Sequence, residues 1–277
     1  MITLTPARIV PLDITEPVRA ALAHRRGPGQ ILGRYRTGVN LRLDDLVVYA
    51  AAGPISSPAG IRVDAATLEL LLNGPELVGD VDPSQAALVE TKLAAWGVDP
   101  ERIARIRRAA LPAMAKSWFS DLPDELSARP AIGRLCTAIR RADQDQIPAH
   151  LRTLLGRGIG LTPSGDDAIV GVLAAAIGAG QLDDETRRTV GSLLTAEGAG
   201  RTTTVSLSTL SCAVDGQVSP ALRKLIMTAA GLGPDPVQDV VAAVAAHGHT
   251  SGSDALYGAV TYWQQLSTAP DTVSTRS

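Results

Sequence analysis

Residue types that could do chemistry are concentrated in one glycine-rich stretch, which runs from Gly158 to Gly171. Its centre, Gly160-Leu-Thr-Pro-Ser-Gly-Asp-Asp167, places hydroxyls and two adjacent carboxylates directly before an apolar run that ends near Ala179. Ser164 and Asp167 have the spacing of a capping box, which predicts that a buried helix begins here with Ser164 as its cap. A helix start offers unpaired amides and a positive dipole end, so the stretch is a candidate site for a small ligand.

A second copy of this pattern runs from Gly248 to Gly258. With Pro163 treated as an insertion, the aligned pairs are Gly160 and Gly248, Thr162 and Thr250, Ser164 and Ser251, Gly165 and Gly252, Asp167 and Asp254, Ala168 and Ala255, and Gly171 and Gly258. Two helix starts of one kind suggest that both loops line a single cleft. The alternative is that both copies only begin helices, because one cap already satisfies a helix start.

Composition and charge exclude several classes of protein. The net charge of −2, with 19% charged residues, lacks the basic surplus of a nucleic-acid-binding surface. The longest apolar run is shorter than the roughly 20 residues that cross a bilayer, and the N-terminus lacks the pattern of a signal peptide. Cys136 and Cys212 have no metal-site spacing. We therefore expect a cytoplasmic protein without nucleic-acid or membrane partners, and a homo-oligomer is compatible with the sequence.

The apolar patterning predicts an α+β fold. Residues 1–85 are predicted to be a β-rich, antiparallel region, because apolar and polar residues alternate on both sides of a Thr37-Gly38 turn. Residues 86–266 are predicted to be mainly helical and to carry the Gly, Ser, Thr and Asp motifs, with a helix already running from Ser84 to Trp96. The Thr- and Ser-rich tail, 267–277, is predicted to be disordered.

The carboxylates of the two copies allow two interpretations. Asp166, Asp167 and Asp254 could jointly hold Mg²⁺, which favours carboxylate oxygens. Alternatively, Asp167 and Asp254 are helix caps and only Asp166 is free. Carboxylates beside a phosphate would repel it unless a metal intervenes, but they can accept the N–H groups of a carbamoyl or amide moiety. The sequence has no GxSxG, HExxH or Walker motif and no zinc-like histidine spacing.

A third block, Arg201-Thr-Thr-Thr-Val-Ser206, repeats the transition from glycines to hydroxyls before an apolar segment. Arg201 could contact an anion with two hydrogen bonds, and the hydroxyls could line a site. An equally good interpretation is structural, because consecutive threonines disfavour a helix interior. Asn40, beside the predicted hairpin turn, is a further candidate for ligand contact.

Taken together, Gly160–Asp167, Arg201–Ser206 and Thr250–Asp254 resemble the AllH-type subunit of oxamate carbamoyltransferase. The resemblance covers roughly residues 156–258 and the N-terminal region only in outline. It implies a subunit of a multi-protein carbamoyltransferase of allantoin and purine-nitrogen catabolism, which converts oxalurate and phosphate to oxamate and carbamoyl phosphate. Other subunits of the complex are the implied partners.

The leading hypothesis gives catalytic roles to Asp166, Asp167, Arg201 and His249. Asp166 would orient the carbamoyl NH₂ or, with Asp167, a Mg²⁺ ion; Arg201 would complete an anion site; His249 would polarise the carbonyl. The candidate substrate-binding residues are Gly160, Thr162, Ser164, Gly165, Thr202, Thr203, Ser206, Thr250, Ser251, Gly252, Asp254 and Asn40. The alternatives are a non-catalytic metabolite-binding or assembly subunit and a standalone Mg²⁺-dependent enzyme acting on a phosphorylated small molecule.

Overall fold

The computed structural model of the chain describes residues 7–25, 27–121 and 129–268. A sheet built by the N-terminal region is followed by a mainly helical region, so the predicted α+β class is confirmed. The strands are β1 (Ala7–Ile9), β2 (Asp13–Thr15), β3 (Gly29–Tyr35), β4 (Gly38–Leu43), β5 (Leu46–Ala51), β6 (Gly60–Arg62), β7 (Leu77–Val81) and β8 (Ala87–Val89). Two helices accompany them, α1 (Glu16–His24) and α2 (Ala65–Asn73).

The sheet has the order β1-β7-β3-β4-β5-β6-β2-β8 and curves as a half-barrel. It is mixed rather than purely antiparallel, because β1–β7, β5–β6 and β2–β8 pair in parallel. The predicted hairpin is present: β3 and β4 pair antiparallel, with Tyr35 opposite Gly38. Val39, Leu41 and Leu43 of β4 are buried, so this hairpin belongs to the core of the N-terminal region.

The helical region consists, within the described residues, of α3 (Pro100–Met114), α4 (Trp118–Asp121), α5 (Arg129–Arg140), α6 (Gln146–Leu154), α7 (Ser164–Gly178), α8 (Asp184–Arg201), α9 (Thr204–Val214), α10 (Pro220–Ala229), α11 (Val237–Ala245) and α12 (Ser251–Thr268). Helix α7 is central to it. Every residue of α7 is buried, as expected for a helix that is apolar on all faces. It packs against α12, α9 and α10.

The helix predicted from Ser84 to Trp96 is wrong. The Asp82 carboxylate accepts the amide of Ser84 at 3.0 Å, which turns the chain, and Ala87–Val89 then forms β8 alongside β2. Further along, Lys92 bridges Gln217 in extended conformation. The backbone groups at the edge of β2 need hydrogen-bond partners, and this long-range pairing outweighs the local helical pattern.

Helix α8 extends through Glu197-Gly-Ala-Gly200 and ends at Arg201. The glycines of this last turn therefore lie inside a helix rather than in a loop. Gly198 faces the side chain of Leu207 from α9, and a Cβ at this position would overlap Leu207. The absence of a side chain at Gly198 thus lets α9 pack closely against the end of α8.

Two further features concern the predicted tail and the possibility of a membrane-spanning helix. Of the predicted tail, Ser267 and Thr268 still belong to α12, and residues 269–277 lie outside the described part of the chain. A search of the described helices found none with the length and apolar character needed to span a membrane.

The sequence repeat is also a structural repeat. Each copy follows a helix, α6 in the first and α11 in the second, and each begins a long buried helix, α7 or α12. Gly165 packs on the backbone carbonyl of Leu154 in α6, and Gly252 packs in the same way on that of Val244 in α11. The aligned glycines Gly165 and Gly252 thus have the same role, which is to bring a new helix start against the preceding helix.

The two long helices of the repeat also cross each other through aligned glycines. Gly171 of α7 lies against the carbonyl oxygen of Ala255, and Gly258 of α12 lies against that of Ala168. These contacts are reciprocal, because Ala168 and Ala255 are themselves an aligned pair. The backbones of α7 and α12 therefore approach directly, and this crossing fixes the distance between the two motif loops.

Candidate ligand-binding site

A cavity of about 440 Å³ lies between the sheet and the helical region. This volume is within the range of roughly 300–1,000 Å³ that is typical of small-molecule sites. The sheet side contributes Tyr35, Thr37, Asn40 and Tyr49, together with the loop residues Ser56, Ser57 and Pro58. The helical side contributes both motif loops, through Leu161, Thr162, Asp167, His247, Gly248, Ser251 and Gly252.

The two motif loops meet at this cavity. The hydroxyl oxygens of Thr162 and Ser251 are 2.9 Å apart, so a hydrogen bond links the first loop directly to the second. The first loop makes its sharp turns at Gly158 (φ 112°) and Gly160 (φ 97°), in the left-handed region that favours glycine. The expectation that the two copies face one cleft therefore agrees with the geometry.

The predicted capping box at the start of α7 is wrong. Pro163 occupies the N-cap position, and Ser164 is already the first helical residue without a side-chain cap bond. The carbonyl oxygen of Pro163 accepts the amides of Asp166 at 2.9 Å and Asp167 at 3.2 Å. Because backbone bonds satisfy this helix start, the side chains of Ser164 and Asp167 are available for other contacts.

Asp167 is the acidic residue that lines the cavity. Its side chain is buried, and its Oδ2 atom has no hydrogen-bond partner. Burial raises the pKa of this carboxyl well above its ordinary value; the hydroxyls of Ser251 and Thr162 act in the opposite direction, whereas the nearby carboxyls of Asp254 and Asp166 raise it further. Asp167 is thus a buried carboxyl that lines a ligand-sized space and has one oxygen without a hydrogen-bond partner.

Asp254, which aligns with Asp167, has a different environment. Its Oδ1 atom accepts the Ser117 hydroxyl at 2.5 Å and the Trp118 amide at 3.1 Å; Ser117 directly precedes α4, and Trp118 is its first residue. Burial raises the pKa of this carboxyl, and hydrogen bonding from Ser117 is the largest opposing effect. Asp254 does not line the cavity. The two aligned aspartates therefore differ in that only Asp167 lines the cavity, although each has a buried Oδ2 atom without a hydrogen-bond partner.

Asp166 lies behind the cavity and is fully engaged within the protein. Its Oδ1 atom accepts the Gly156 amide at 2.8 Å, and its Oδ2 atom accepts the hydroxyls of Thr202 and of Ser206, the latter at 2.6 Å. Burial raises the pKa of the carboxyl, and these three hydrogen bonds oppose that shift. The geometry shows Asp166 joining the end of α6 to the start of α9.

The threonines of the third block have structural contacts. The Thr203 hydroxyl caps α9 by accepting the Ser206 amide at 3.0 Å, and it also donates to the Leu161 carbonyl. Arg201 is exposed and pairs with Glu197 at 2.7 Å, away from the cavity. This block therefore supports the first motif loop from behind.

The structure sorts the predicted site residues into two groups. Those that line the cavity are Asn40, Thr162, Asp167, Ser251 and Gly252. Those that do not are Asp166, Arg201, His249, Gly160, Ser164, Gly165, Thr202, Thr203, Ser206, Thr250 and Asp254.

The cavity residues that the sequence did not single out include a histidine and two tyrosines. His247 lines the cavity, whereas His249 is exposed beside it, and burial lowers the pKa of His247, which favours the neutral imidazole. Tyr35 and Tyr49 also line it, and the Tyr35 hydroxyl accepts the Asn40 side-chain amide at 3.4 Å. The only sequence signal for Tyr35 was its position beside the Thr37-Gly38 turn, and Tyr49 comes near Asn40 only through the pairing of β4 with β5.

No lysine or arginine lines the cavity among the residues that the structure describes. Across the same residues, no group of three or more His, Cys, Asp and Glu side chains has an arrangement that could hold a metal ion. Both oxygens of Asp166 are already bonded within the protein. The described site is therefore built from neutral donors and acceptors plus one buried carboxyl.

The fold and the site together define an α+β protein with a ligand-sized cavity built on a repeated glycine–serine–aspartate helix start. Residues 154–263 match the family model described as oxamate carbamoyltransferase subunit AllH. The matched segment contains both motif loops and the third block, and it confirms the resemblance found in the sequence. Comparison of the chain with curated proteins and with solved structures found no match.

The raised pKa of Asp167 leads to a prediction about stability. Between the carboxyl's unfolded pKa of about 3.9 and its higher folded pKa, the folded state binds more protons than the unfolded state, so the free energy of unfolding falls as pH rises. Asp167→Asn removes this loss. We expect the variant's stability relative to wild type, measured by urea unfolding, to grow as pH rises above about 4 and to level off once pH exceeds the carboxyl's folded pKa. Asp184→Asn, at an exposed position in α8, is the control; a pH-independent difference for Asp167→Asn would contradict the prediction.

Proposed function

We propose that this chain is a subunit of an oxamate carbamoyltransferase complex and that its cavity binds the carbamoyl substrate. The observation that carries the proposal is the convergence of both motif loops on Asp167 at a ligand-sized cavity. These loops lie inside the segment that matches the AllH family model, so one region supplies both the family resemblance and the site.

The proposed reaction is phosphorolysis of oxalurate. A phosphate oxygen attacks the carbamoyl carbon, and the bond from that carbon to the nitrogen of the oxamate portion breaks. The proton of hydrogen phosphate passes to this nitrogen, which gives oxamate and carbamoyl phosphate. Positioning of the reactants and electrostatic stabilisation can promote such a transfer without a covalent intermediate.

The geometry suggests a revised set of roles. Asp167, Thr162 and Ser251 would contact the carbamoyl group, and the neutral His247 imidazole would take the carbonyl-polarising role first assigned to His249. Asp166 becomes a positioning residue, because its hydrogen bonds hold the first motif loop against α9.

A non-catalytic binding or assembly subunit is the second candidate. One observation favours it: the cavity lining described here has no lysine or arginine to hold phosphate. In that case the chain would bind a metabolite and a partner subunit would carry the chemistry.

Turnover by the reconstituted complex separates these candidates. We expect Asp167→Asn and His247→Gln each to lower kcat/KM by about tenfold or more, since each removes an interaction that orients the reacting group. Gel filtration would confirm that the complex still assembles, and the exposed Asp184→Asn serves as the matched carboxyl-to-amide control. Full activity of both cavity variants in an intact complex would refute the catalytic proposal and favour the assembly subunit.

A further inference from the structure

One oxygen of the Asp167 carboxyl lacks a hydrogen-bond partner, although the hydroxyls of Ser251 and Thr162 already donate to the group. The residue is 8% exposed, and its Oδ2 atom is buried and unpartnered. Buried polar atoms without partners are rare in native proteins because desolvation is then uncompensated. Since this residue lines the cavity, a ligand is the natural source of the missing donor.

The aligned residue Asp254 shows which donors this position accepts. There, a hydroxyl and a backbone N–H, from Ser117 and Trp118, converge on a single carboxyl oxygen. Both groups are uncharged, and no cation takes part in the contact. The Oδ2 atom of Asp254 is buried and unpartnered like that of Asp167, but Asp254 does not line the cavity, so only Asp167 can take its missing donor from a bound ligand.

The charges around the cavity favour the same kind of ligand group. Its described lining has no lysine or arginine, and burial keeps the His247 imidazole towards its neutral form by lowering its pKa. The sheet side adds only uncharged polar groups, among them Asn40 and the phenols of Tyr35 and Tyr49. An anion placed against the Asp167 carboxyl would find no compensating charge here.

We propose that the cavity binds the uncharged carbamoyl or ureido end of its ligand through N–H donation to Asp167, and that it does not bind phosphate. This inference deepens the proposed function and rests on it for the identity of the natural substrate. It divides the substrates between chains: this subunit holds the carbamoyl end, and the positive charge that phosphate needs comes from another subunit.

Direct binding to the purified full-length chain tests this division without any turnover. The probe is N-acetylurea, which is uncharged and carries a terminal NH₂. Its matched control is methyl N-acetylcarbamate, in which a methoxy group replaces that NH₂, and inorganic phosphate is the anionic probe. Isothermal titration calorimetry would be run on wild type, Asp167→Leu and the exposed control Asp184→Asn. Leucine has a similar volume but no acceptor, and circular dichroism would verify the fold.

We expect saturable binding of N-acetylurea to wild type and to Asp184→Asn, with affinity lower by about tenfold or more for the methoxy analogue and for Asp167→Leu, as loss of a hydrogen bond to a buried group predicts. Phosphate should not compete. Absence of N-acetylurea binding, equal binding of both organic probes, unchanged affinity in a folded Asp167→Leu, or competition by phosphate would each overturn the inference. If the complex turns over but the isolated subunit fails this binding test, the proposed function stands and the inference fails. If the subunit passes the binding test but the complex does not turn over, only the proposed function fails.

Discussion

Gly171→Ala is expected to destabilise the protein by about 3 kcal/mol or more, which is at the upper end of what overpacking costs. A Cβ at this position would overlap the backbone carbonyl of Ala255, and a backbone group cannot rotate away as a side chain can. Relief would require α7 and α12 to separate along their crossing. Gly258→Ala should have the same effect, because its Cβ would overlap the carbonyl of Ala168. Urea unfolding followed by circular dichroism measures both variants.

Two other helical glycines provide matched controls for this prediction. At Gly133 and Gly191 the nearest atoms to a new Cβ are side-chain atoms at 3.6 and 3.7 Å, an ordinary contact distance. Alanine there should be neutral or should raise stability by up to about 1 kcal/mol, because alanine is the better helix former. Equal effects at all of these positions would show that the change reflects helix propensity rather than the crossing of α7 and α12.

Local sequence patterns were sufficient for most elements of the fold. The β3–β4 hairpin follows from alternation around Thr37-Gly38, and the buried helix α7 follows from the apolar run that ends near Ala179. Strand β8 could not be found in this way, because it exists through pairing with β2, which lies more than sixty residues earlier. The same limit explains why the parallel pairs of the sheet were not anticipated.

The candidate site was predictable in its loops but not in its side-chain directions. The internal repeat identified both helix starts, and the hydrogen bond between Thr162 and Ser251 joins them as the repeat suggested. Sequence gave no means to choose between His247 and His249, since the turn after α11 decides which imidazole faces the cavity. Nor could it show that Asp166 and Asp167, which are adjacent in sequence, point to different surroundings: a closed network for one and the cavity for the other.

Asp166→Ala is the second substitution for which we expect a large loss of stability, again about 3 kcal/mol or more. The variant would leave the Gly156 amide and the hydroxyls of Thr202 and Ser206 without their common acceptor in a buried location. Each buried donor left without a partner costs roughly 1–3 kcal/mol, although the hydroxyls can rotate to find other acceptors. Urea unfolding measures the loss, and hydrogen exchange should show it first in the amides from Gly156 to Asp167, because this carboxylate ties that loop to α9.

Asp166→Asn separates the network from the charge. An asparagine side chain keeps an oxygen for the Gly156 amide, and its NH₂ can donate to the hydroxyls of Thr202 and Ser206, which accept as readily as they donate. We therefore expect this variant to retain most of the stability that Asp166→Ala loses and to keep the loop protected from exchange. If the two variants were equally unstable, the negative charge itself would be required at this position, and Asp166 would have to be reconsidered as more than a positioning residue. If neither lost stability, the network would not hold the loop, and the cavity would owe its shape to the crossing of α7 and α12 alone.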